Sequence, residues 1–426
     1  MIKNKLRPFI YGFGELGTSS IDLFLKVYLL LYFNNVLGLS ASWTSLAIGA
    51  SVLWDAFIDP WIGLYSDKYY HKNGHRKGIL YLATVMICVF FVLLWQINTN
   101  HEWLTLTLLF LVSSLLNSAI SLFTVPFYAI ANDLETDNDK RKIWIGSRLI
   151  NFNVGSFLGL AVPALFLTNA AATTESGPYL NAVYVLTTIT FAACVFATYF
   201  IYSAKDAKNS LVRYESKPQS LAFLLKDRKF IQILSAFFIV NCGLGLNSTL
   251  ALYYYKLYLE FTEKQTQTVL IGFLIIFTIS IPLWVVLTKY FNKQKLIVVA
   301  AFLLGALTII LFPNFKGVDF STIFALASGL CGVLVGVAVV LEIFLSDFLK
   351  EKEDQLKQVV SGQYLGLWKM ASKISRAVAI ALAGPIIDAS VGNPQLLANY
   401  FGWVVGFFFL ASAAIMVIRI MPATDN

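Results

Sequence analysis

The sequence predicts an all-α membrane protein with twelve transmembrane helices in two six-helix halves. Of its 426 residues, 58% are hydrophobic and only 13% are charged, whereas a soluble domain carries about 25% charged residues. Its apolar runs are long enough for helices that cross a hydrocarbon layer about 30 Å thick. They lack the roughly ten-residue alternation of an outer-membrane barrel. One long polar stretch separates six of these runs from the other six.

The apolar runs predict the helices in chain order. Those of the first half lie at 9–35, 41–66, 78–97, 103–132, 143–168 and 181–203. Those of the second half lie at 229–257, 265–288, 295–314, 320–346, 359–387 and 398–420. We therefore expect an N-terminal half (1–203), a cytoplasmic linker (204–228) and a C-terminal half (229–426). Two six-helix halves joined in this way form the major facilitator fold.

The basic residues predict the orientation. With a cytoplasmic N-terminus, 24 of the 32 lysines and arginines fall in cytoplasmic segments, as the positive-inside rule requires. We expect a multi-pass protein of the plasma membrane with both termini in the cytoplasm. A bacterial inner membrane is the expected plasma membrane. The net charge of +8 then reflects topology, and no nucleic-acid partner is expected. A monomer surrounded by the lipid bilayer is the expected state.

The reactive side chains argue against a membrane enzyme. The four cysteines lie in apolar runs without metal-ligand spacing, and the three histidines lie in predicted loops. No nucleophile–base constellation or paired metal motif is visible. We therefore expect no cofactor and no enzymatic activity.

Two carboxylates interrupt the second apolar run. Asp55 and Asp59 are one helical turn apart, so both lie on one face of the helix. Charged side chains inside a membrane are costly and mark functional sites. Two neighbouring anions favour a bound cation or a captured proton, so the pair predicts a cation-coupling site. A structural ion pair with a cation on another helix is the alternative.

The first helix carries a polar stripe of Glu15, Ser19, Asp22 and Lys26. A polar sector on an apolar helix predicts a face toward a cavity rather than toward lipid. Ser19 and Asp22 are therefore candidate solute-binding residues. The spacing of Asp22 and Lys26 also allows a pair that neutralises itself.

The fourth and fifth helices add hydroxyls, an amide and a guanidinium. Ser121 and Thr124 precede Pro126, where hydroxyls either bind a solute or satisfy carbonyls freed by the proline. Arg148 and Asn151 are further solute-binding candidates. Arg148 donates in a fork to hydroxyls or carboxylates if it faces a cavity, and it snorkels to the cytoplasmic surface otherwise.

The C-terminal half contributes Asn247 on the seventh helix and a basic face on the eleventh. Lys369, Lys373 and Arg376 follow the i, i+4, i+7 spacing of one helix face. Asn247 and Lys369 are candidate solute-binding residues. Lys373 lies near the middle of its span and needs a partner, for which the two aspartates of the second helix are the best candidates.

Several of these motifs together resemble the glycoside–pentoside–hexuronide:cation symporter family, of which melibiose permease is a type. The resemblance covers most of the chain and is most specific in the second helix. It rests on Tyr11-Gly12-Phe13-Gly14, Trp54-Asp55-Ala56-x-x-Asp59-Pro60-x-x-Gly63, Pro126-Phe127, Arg148, Tyr253-Tyr254-Tyr255 and Lys373. The segment with Gly63, Asp67 and Arg76 also resembles the general facilitator signature, which implies a gating loop between the second and third helices.

The resemblance implies roles for individual residues. Asp55 and Asp59 are identified as ligands of the coupling cation, a proton or Na⁺, and they are metal ligands if sodium is the coupling ion. Ser121 stands where a hydroxyl ligand is expected, Lys373 where a lysine bridges to the aspartates, and Arg148 where an arginine contacts sugar.

The chain also departs from the melibiose type. Ser19 and Thr124 replace two aspartates that hold galactoside hydroxyls, and Ile58 replaces an asparagine that aids sodium selectivity. Glu15 and Asp22 are the candidates to replace the missing acid of the first helix. The resemblance therefore implies cation coupling but does not extend to galactoside recognition.

We expect a secondary active transporter that couples H⁺ or Na⁺ to the symport of a sugar, glycoside or related polar solute by alternating access. Two alternatives of the same fold stay open, a lysolipid or amphiphile transporter and an uncoupled facilitator.

Overall fold

The computed structural model describes residues 2–134, 138–167, 174–202, 227–356 and 361–417. Within these ranges the chain is helical and contains no β-strand. The predicted linker at 204–228 falls outside the described residues except for its last two positions.

Twelve helical segments follow one another in the described ranges. Their bounds are α1 (Ile2–Asn35), α2 (Ala41–Asn73), α3 (Lys77–Trp95), α4 (Glu102–Leu134), α5 (Asn138–Ala164), α6 (Ser176–Tyr202), α7 (Arg228–Tyr253), α8 (Glu263–Tyr290), α9 (Lys293–Leu311), α10 (four pieces between Phe320 and Leu356), α11 (Ser361–Ala389) and α12 (Pro394–Val417). Eleven helices among the described residues are long and apolar enough to cross a membrane. The segment α5 is not one of the eleven, although its 27 residues exceed the length needed for a span.

The second helix is longer than the sequence predicts, so the first part of the predicted loop is wrong. Helix α2 continues to Asn73 and stops at Gly74, which has φ 70°. The amide of Gly74 donates to the Tyr70 carbonyl, the left-handed ending that glycine favours. Gly63 and Asp67 are therefore helical, and the turn to α3 is confined to residues 74–76.

The tenth helix is interrupted, whereas the sequence predicts a continuous one. It consists of Phe320–Ile323, a π-helical stretch Phe324–Leu330, Cys331–Leu334 and Val337–Leu356. The indole Nε1 of Trp284 donates to the Val333 carbonyl at 2.7 Å, and a Cβ at Gly336 would collide with that indole. A side chain from α8 thus occupies the break. A shorter π-helical turn, Tyr254–Tyr258, extends α7.

The chain divides into two compact units. The first unit is Met1–Val212 with Thr262–Gln267, and the second is Arg213–Phe261 with Thr268–Asn426. In the first unit, α1 packs against α5 and α6, and α2 packs against α4. In the second unit, α7 packs against α11 and α12, and α9 packs against α12.

Glycines bring α1 and α5 into backbone contact in the first unit. A Cβ at Gly12 would lie 2.7 Å from the Ser147 carbonyl oxygen, and a Cβ at Gly155 would collide with Ser19 and Leu16. Gly159 meets the Ser20 carbonyl in the same way. Small residues permit this close approach of helices within a membrane, so the polar side chains of α1 and α5 are held near one another.

Candidate functional site

The aspartate pair of α2 faces a hydroxyl of α4. Ser121 Oγ donates to Asp55 Oδ1 at 2.7 Å, and the serine is buried. Asp59 lies one turn further along α2 and is half-buried. Two carboxylates and one hydroxyl therefore belong to a single region of the first unit, on helices that pack directly against each other.

This contact belongs to a polar seam between α2 and α4. One turn before it, Asn117 Nδ2 donates to Ser51 Oγ at 3.3 Å. Beside it, Trp54 Nε1 donates to Ser118 Oγ at 3.3 Å. Because the Ser51 and Asp55 pairs have the same sequence offset from their α4 partners, the two helices keep one register through the seam.

A second polar cluster joins α1, α4 and α5. Tyr128 Oη donates to Glu15 Oε1 at 2.9 Å, and Glu15 is only 5% exposed. The guanidinium carbon of Arg148 lies 3.9 Å from the centroid of the Tyr128 ring, a cation–π contact. We call Glu15, Tyr128 and Arg148 the α1–α4–α5 cluster. Arg148 thus contacts a side chain of α4.

The other polar residues of α1 have local partners. Lys26 Nζ and Asp22 Oδ2 form an ion pair at 2.5 Å, one of the two alternatives that their spacing allows. Ser19 is buried, and its hydroxyl donates to the Leu16 carbonyl at 3.4 Å. Ser19 also lies at the contact with Gly155, so it is part of the α1–α5 packing.

Two further candidates flank the α1–α4–α5 cluster. Thr124 is half-buried on α4, one turn before Tyr128. Asn151 Nδ2 donates to the Ser147 carbonyl of its own helix at 2.9 Å, one turn after Arg148. Their solute-binding roles remain predictions.

The candidates of the second unit are Asn247, half-buried on α7, and two lysines of α11. Lys369 is exposed and Lys373 is half-buried. The expected bridge from Lys373 to the aspartates would join residues of different units, and it remains a prediction.

Arg76 connects the segment between α2 and α3 to neighbouring residues by hydrogen bonds. It is buried, and its backbone amide donates to Tyr202 Oη at 3.1 Å. Its guanidinium donates to the hydroxyl of Ser66. A Cβ at Gly63 would lie 3.9 Å from Val125, an ordinary contact. The side chain of Asp67 lies outside the described residues, and the gating role of this segment remains a prediction.

Residues 10–420 match the family described as MFS/sugar transport protein. The chain belongs to this family. Membership confirms the predicted fold class and the stated family resemblance. The description of this family agrees with the expected class of a transporter.

Two curated relatives are similar over most of this chain. A glucuronide carrier protein homolog of Escherichia coli (strain K12) is 24% identical over 306 residues, 71% of this chain and 65% of the relative. The uncharacterized symporter YnaJ of Bacillus subtilis (strain 168) is 22% identical over 314 residues, 71% of this chain and 66% of the relative. The chain thus spans just under two thirds of each relative's length.

Solved transporters share the fold. A D-xylose-proton symporter superposes with a TM-score of 0.71 at 14% identity over 96% of both chains. The nucleoside transporter NupG gives a TM-score of 0.67 at 16% identity, covering 97% of this chain and 98% of that one.

The sequence did not single out Tyr128 as a functional candidate. Its position one turn after Thr124 on α4 was the available signal. Its contacts with Glu15 and Arg148 depend on how α4 is rotated against α1 and α5, which helical periodicity within one segment does not reveal.

Proposed function

We propose that this chain is a secondary active transporter that couples H⁺ or Na⁺ to the symport of a sugar, glycoside or related polar solute. The observation that carries the proposal is the 2.7 Å hydrogen bond between Ser121 and Asp55, with Asp59 one turn away on the same apolar helix. It supports a cation site at the seam of α2 and α4.

The chemistry of these side chains fits the proposed ions. Oxygen ligands suit hard cations such as Na⁺, and a carboxylate pair also captures a proton. The hydroxyl of Ser121 has lone pairs that can turn toward a metal ion, and its bond to Asp55 keeps it within reach. Binding either cation reduces the net charge that the membrane must accommodate, so cation binding lowers the cost of moving the loaded site.

Coupling then follows from linkage. In the proposed cycle the cation relieves the repulsion between Asp55 and Asp59, and Lys373 changes partners as the two halves alternate access. If the neutralised site favours the solute-binding conformation, cation and solute must raise each other's affinity by the same factor.

The names of similar proteins support the solute class. One relative is named a glucuronide carrier homolog, and one protein of the same fold is a D-xylose-proton symporter. We therefore propose a saccharide or its acid as the solute. From the distribution of basic residues we also propose that both termini lie in the cytoplasm. The proposed state is a monomer in a plasma membrane such as a bacterial inner membrane.

Uptake into proteoliposomes tests this function, with a sodium gradient, a pH gradient and a membrane potential imposed one at a time. The probes are radiolabelled D-xylose, methyl β-D-glucopyranoside and D-glucuronate. Accumulation of one probe above equilibrium, under one cation gradient, is the expected result. Equilibration without accumulation under every gradient would establish an uncoupled facilitator. Transport of lysophosphatidylcholine with no sugar uptake would establish an amphiphile transporter.

A further inference from the structure

Glu342 is an acidic residue inside an apolar helix, and the proposed cation site does not use it. It lies in the candidate membrane span Phe320–Leu349, on the last piece of α10, and it is exposed. Among the described residues it has no hydrogen-bond or ion-pair partner. Ionisable side chains inside a membrane usually pair with one another and mark functional sites. An acid at this position is therefore expected to meet a cationic partner in another conformation.

Two other acids of α10 already have cationic partners. Asp347 pairs with Lys293, and Glu351 pairs with Lys229 at 2.6 Å. Both acids lie closer to the end of α10 than Glu342 does, and both lysines lie in the first turn of their own helices. Ion pairs near helix ends thus account for these two acids, whereas Glu342 lies further inside the span.

Lys373 of α11 lies at the same depth in its span as Glu342. Glu342 precedes Leu349, the last residue of its candidate span, by seven positions. Lys373 follows Gly366, the first residue of the next candidate span, by seven positions. Because these two spans follow each other in the chain, the two ends lie on the same side of the membrane. At a rise of 1.5 Å per residue, each charge is about 10 Å from that side.

The other basic residues near α10 match this depth less well. Lys369 lies one helical turn closer to the membrane surface than Lys373, and Arg376 lies almost one turn deeper. Helices α7 and α9 also pack against α10, but their basic residues lie in the first turn of each helix. These residues are Arg228, Lys229, Lys293 and Lys295. Lys373 is therefore the cation best placed to reach Glu342.

Side chains of α10 and α11 are in contact. The rings of Phe348 and Tyr364 meet edge to face, with their centroids 5.6 Å apart. The first unit shows that a basic side chain on the fifth helix of a half reaches the fourth helix, because the Arg148 guanidinium lies 3.9 Å from the centroid of the Tyr128 ring. The two halves of this fold are related repeats, and lysine has a flexible four-carbon stem. The same reach from α11 to α10 would join the two charges.

Helix α10 also has an irregular backbone. Its π-helical stretch spans Phe324–Leu330, and the piece with Glu342 begins at Val337, directly after the break. π-Helical turns are frequent at functional sites, and interrupted helices border the ion and substrate sites of transporters. The location of Glu342 on this helix therefore fits a role in coupling.

We propose that Glu342 is the alternate partner of Lys373 and accepts its ammonium group when a cation occupies Asp55 and Asp59. This role rests on the proposed function, in which Lys373 changes partners during the cycle, and it names the partner to which the lysine moves. The exchange keeps the lysine paired in both states, so no isolated cation is left inside the membrane. Glu342 is thus a positioning residue that acts on the cation site through Lys373.

The variant Glu342→Gln tests this role through the affinity of the cation site. Without the carboxylate, Lys373 gains less by leaving the aspartates, so it competes more strongly with the cation. Initial uptake of D-xylose, methyl β-D-glucopyranoside or D-glucuronate into proteoliposomes is measured against Na⁺ concentration and pH. We expect the half-saturating Na⁺ concentration to rise about tenfold or, if H⁺ is the coupling ion, the pH midpoint to fall by about one unit. The matched control is Asp347→Asn on the same piece of helix, which should leave both values unchanged.

Combining this change with Lys373→Gln separates a partner role from a general structural effect. If Glu342 acts through Lys373, Glu342→Gln has a further effect of less than about twofold once the ammonium group is gone. A purely structural role would add the same tenfold factor in both backgrounds. For variants that do not transport, cation binding is measured as the rise in the thermal midpoint of the purified protein, across a titration with NaCl at constant ionic strength or across a pH titration.

The outcomes separate this role from the proposed function. If uptake by wild type depends on a cation but Glu342→Gln keeps the wild-type half-saturating concentration, Glu342 is not the alternate partner and cation-coupled transport stands. The same conclusion follows if Glu342→Gln adds its full factor in the Lys373→Gln background. If uptake by wild type depends on neither Na⁺ nor pH, the proposed coupling itself is wrong.

Discussion

The two units differ in what their polar side chains contact within the apolar helices. In the first unit, functional groups from different helices meet side chain to side chain. Ser121 of α4 donates to Asp55 of α2, and Tyr128 of α4 donates to Glu15 of α1. Carboxylates are thereby held in defined positions inside apolar helices.

In the second unit, three polar residues between Asn241 and Thr249 on α7 donate to carbonyls of α7 itself. Asn241 donates to the Phe237 carbonyl, and the hydroxyls of Ser248 and Thr249 donate to the Gly245 carbonyl. Such bonds satisfy the side chain within its own helix. Side chains of different helices therefore bond to one another in this part of the first unit, whereas these three residues of α7 bond within one helix.

Two ion pairs of the second unit connect residues near helix ends. Lys352 meets Asp227 at 2.7 Å, and Lys229 meets Glu351 at 2.6 Å. Asp227 additionally caps α7 by accepting from the amides of Lys229 and Phe230. These contacts stabilise helix ends and hold no charge in the middle of a span.

The largest expected effect comes from Asp55→Asn. One coupled charge contributes about 2.3 kcal/mol per 100 mV, which is about 50-fold accumulation, and we expect the variant to equilibrate its solute without accumulation. The measurement is the ratio of internal to external solute at steady state. Asp347→Asn, which removes a charge paired with Lys293 at a helix end of the second unit, is the control that should accumulate normally. An equal loss of solute accumulation in both variants would contradict the proposed difference between the two units.

A smaller effect is expected on stability when the contact between α1 and α5 is overfilled. Gly155→Val places atoms against Ser19 and Leu16, and overpacking costs about 1–3 kcal/mol. The check is the thermal midpoint of the purified protein in detergent. Gly146→Ala, on the same helix but with open space around its added Cβ, should keep or raise the midpoint. A stable Gly155→Val variant would contradict the close contact.

Hydroxyl deletions compare the two units directly. Ser121→Ala removes a hydrogen bond to a charged group, so we expect the half-saturating cation concentration to rise about tenfold or more. Ser248→Ala removes a bond to its own helix and should change that concentration less than about twofold, because the carbonyl of Gly245 also accepts from Thr249. Cation dependence of initial uptake rates measures both. A larger effect of Ser248→Ala than of Ser121→Ala would indicate that the cation site lies in the second unit.

The smallest effects are expected at the helix ends. Asp227→Ala removes a cap and an ion pair, which costs about 1 kcal/mol. Glu351→Ala removes an exposed pair worth about 0–1 kcal/mol. Thermal midpoints should therefore fall further for Asp227→Ala than for Glu351→Ala, and the reverse order would contradict the assignment of the cap.

The sequence predicted the elements whose cause is local. Apolar runs predicted each helical segment, because helices in a membrane need continuous apolar length. Spacing on one helix allowed the ion pair of Asp22 with Lys26. The contact of Ser121 with Asp55 agrees with the family resemblance, which had placed a hydroxyl ligand beside the aspartate.

Features that depend on contacts between helices were missed. At the break in α10 the indole of Trp284 from α8 donates to the Val333 carbonyl, and no pattern within 320–346 contains that information. The role of Gly155 and the meeting of Glu15 with Tyr128 depend on helix rotation and distance. The continuation of α2 from residue 67 to Asn73 was missed because these last turns are polar and resemble a loop in the sequence.

The central claim is that Asp55 and Asp59 couple cation to solute. Cation entry induced by solute tests this claim most directly. A transported sugar is added to proteoliposomes without an imposed gradient, and entry of ²²Na⁺ or H⁺ is recorded for wild type and Asp59→Asn. Wild type should take up cation in a fixed ratio to solute, while Asp59→Asn exchanges solute with no cation entry. An unchanged ratio in Asp59→Asn would contradict the account.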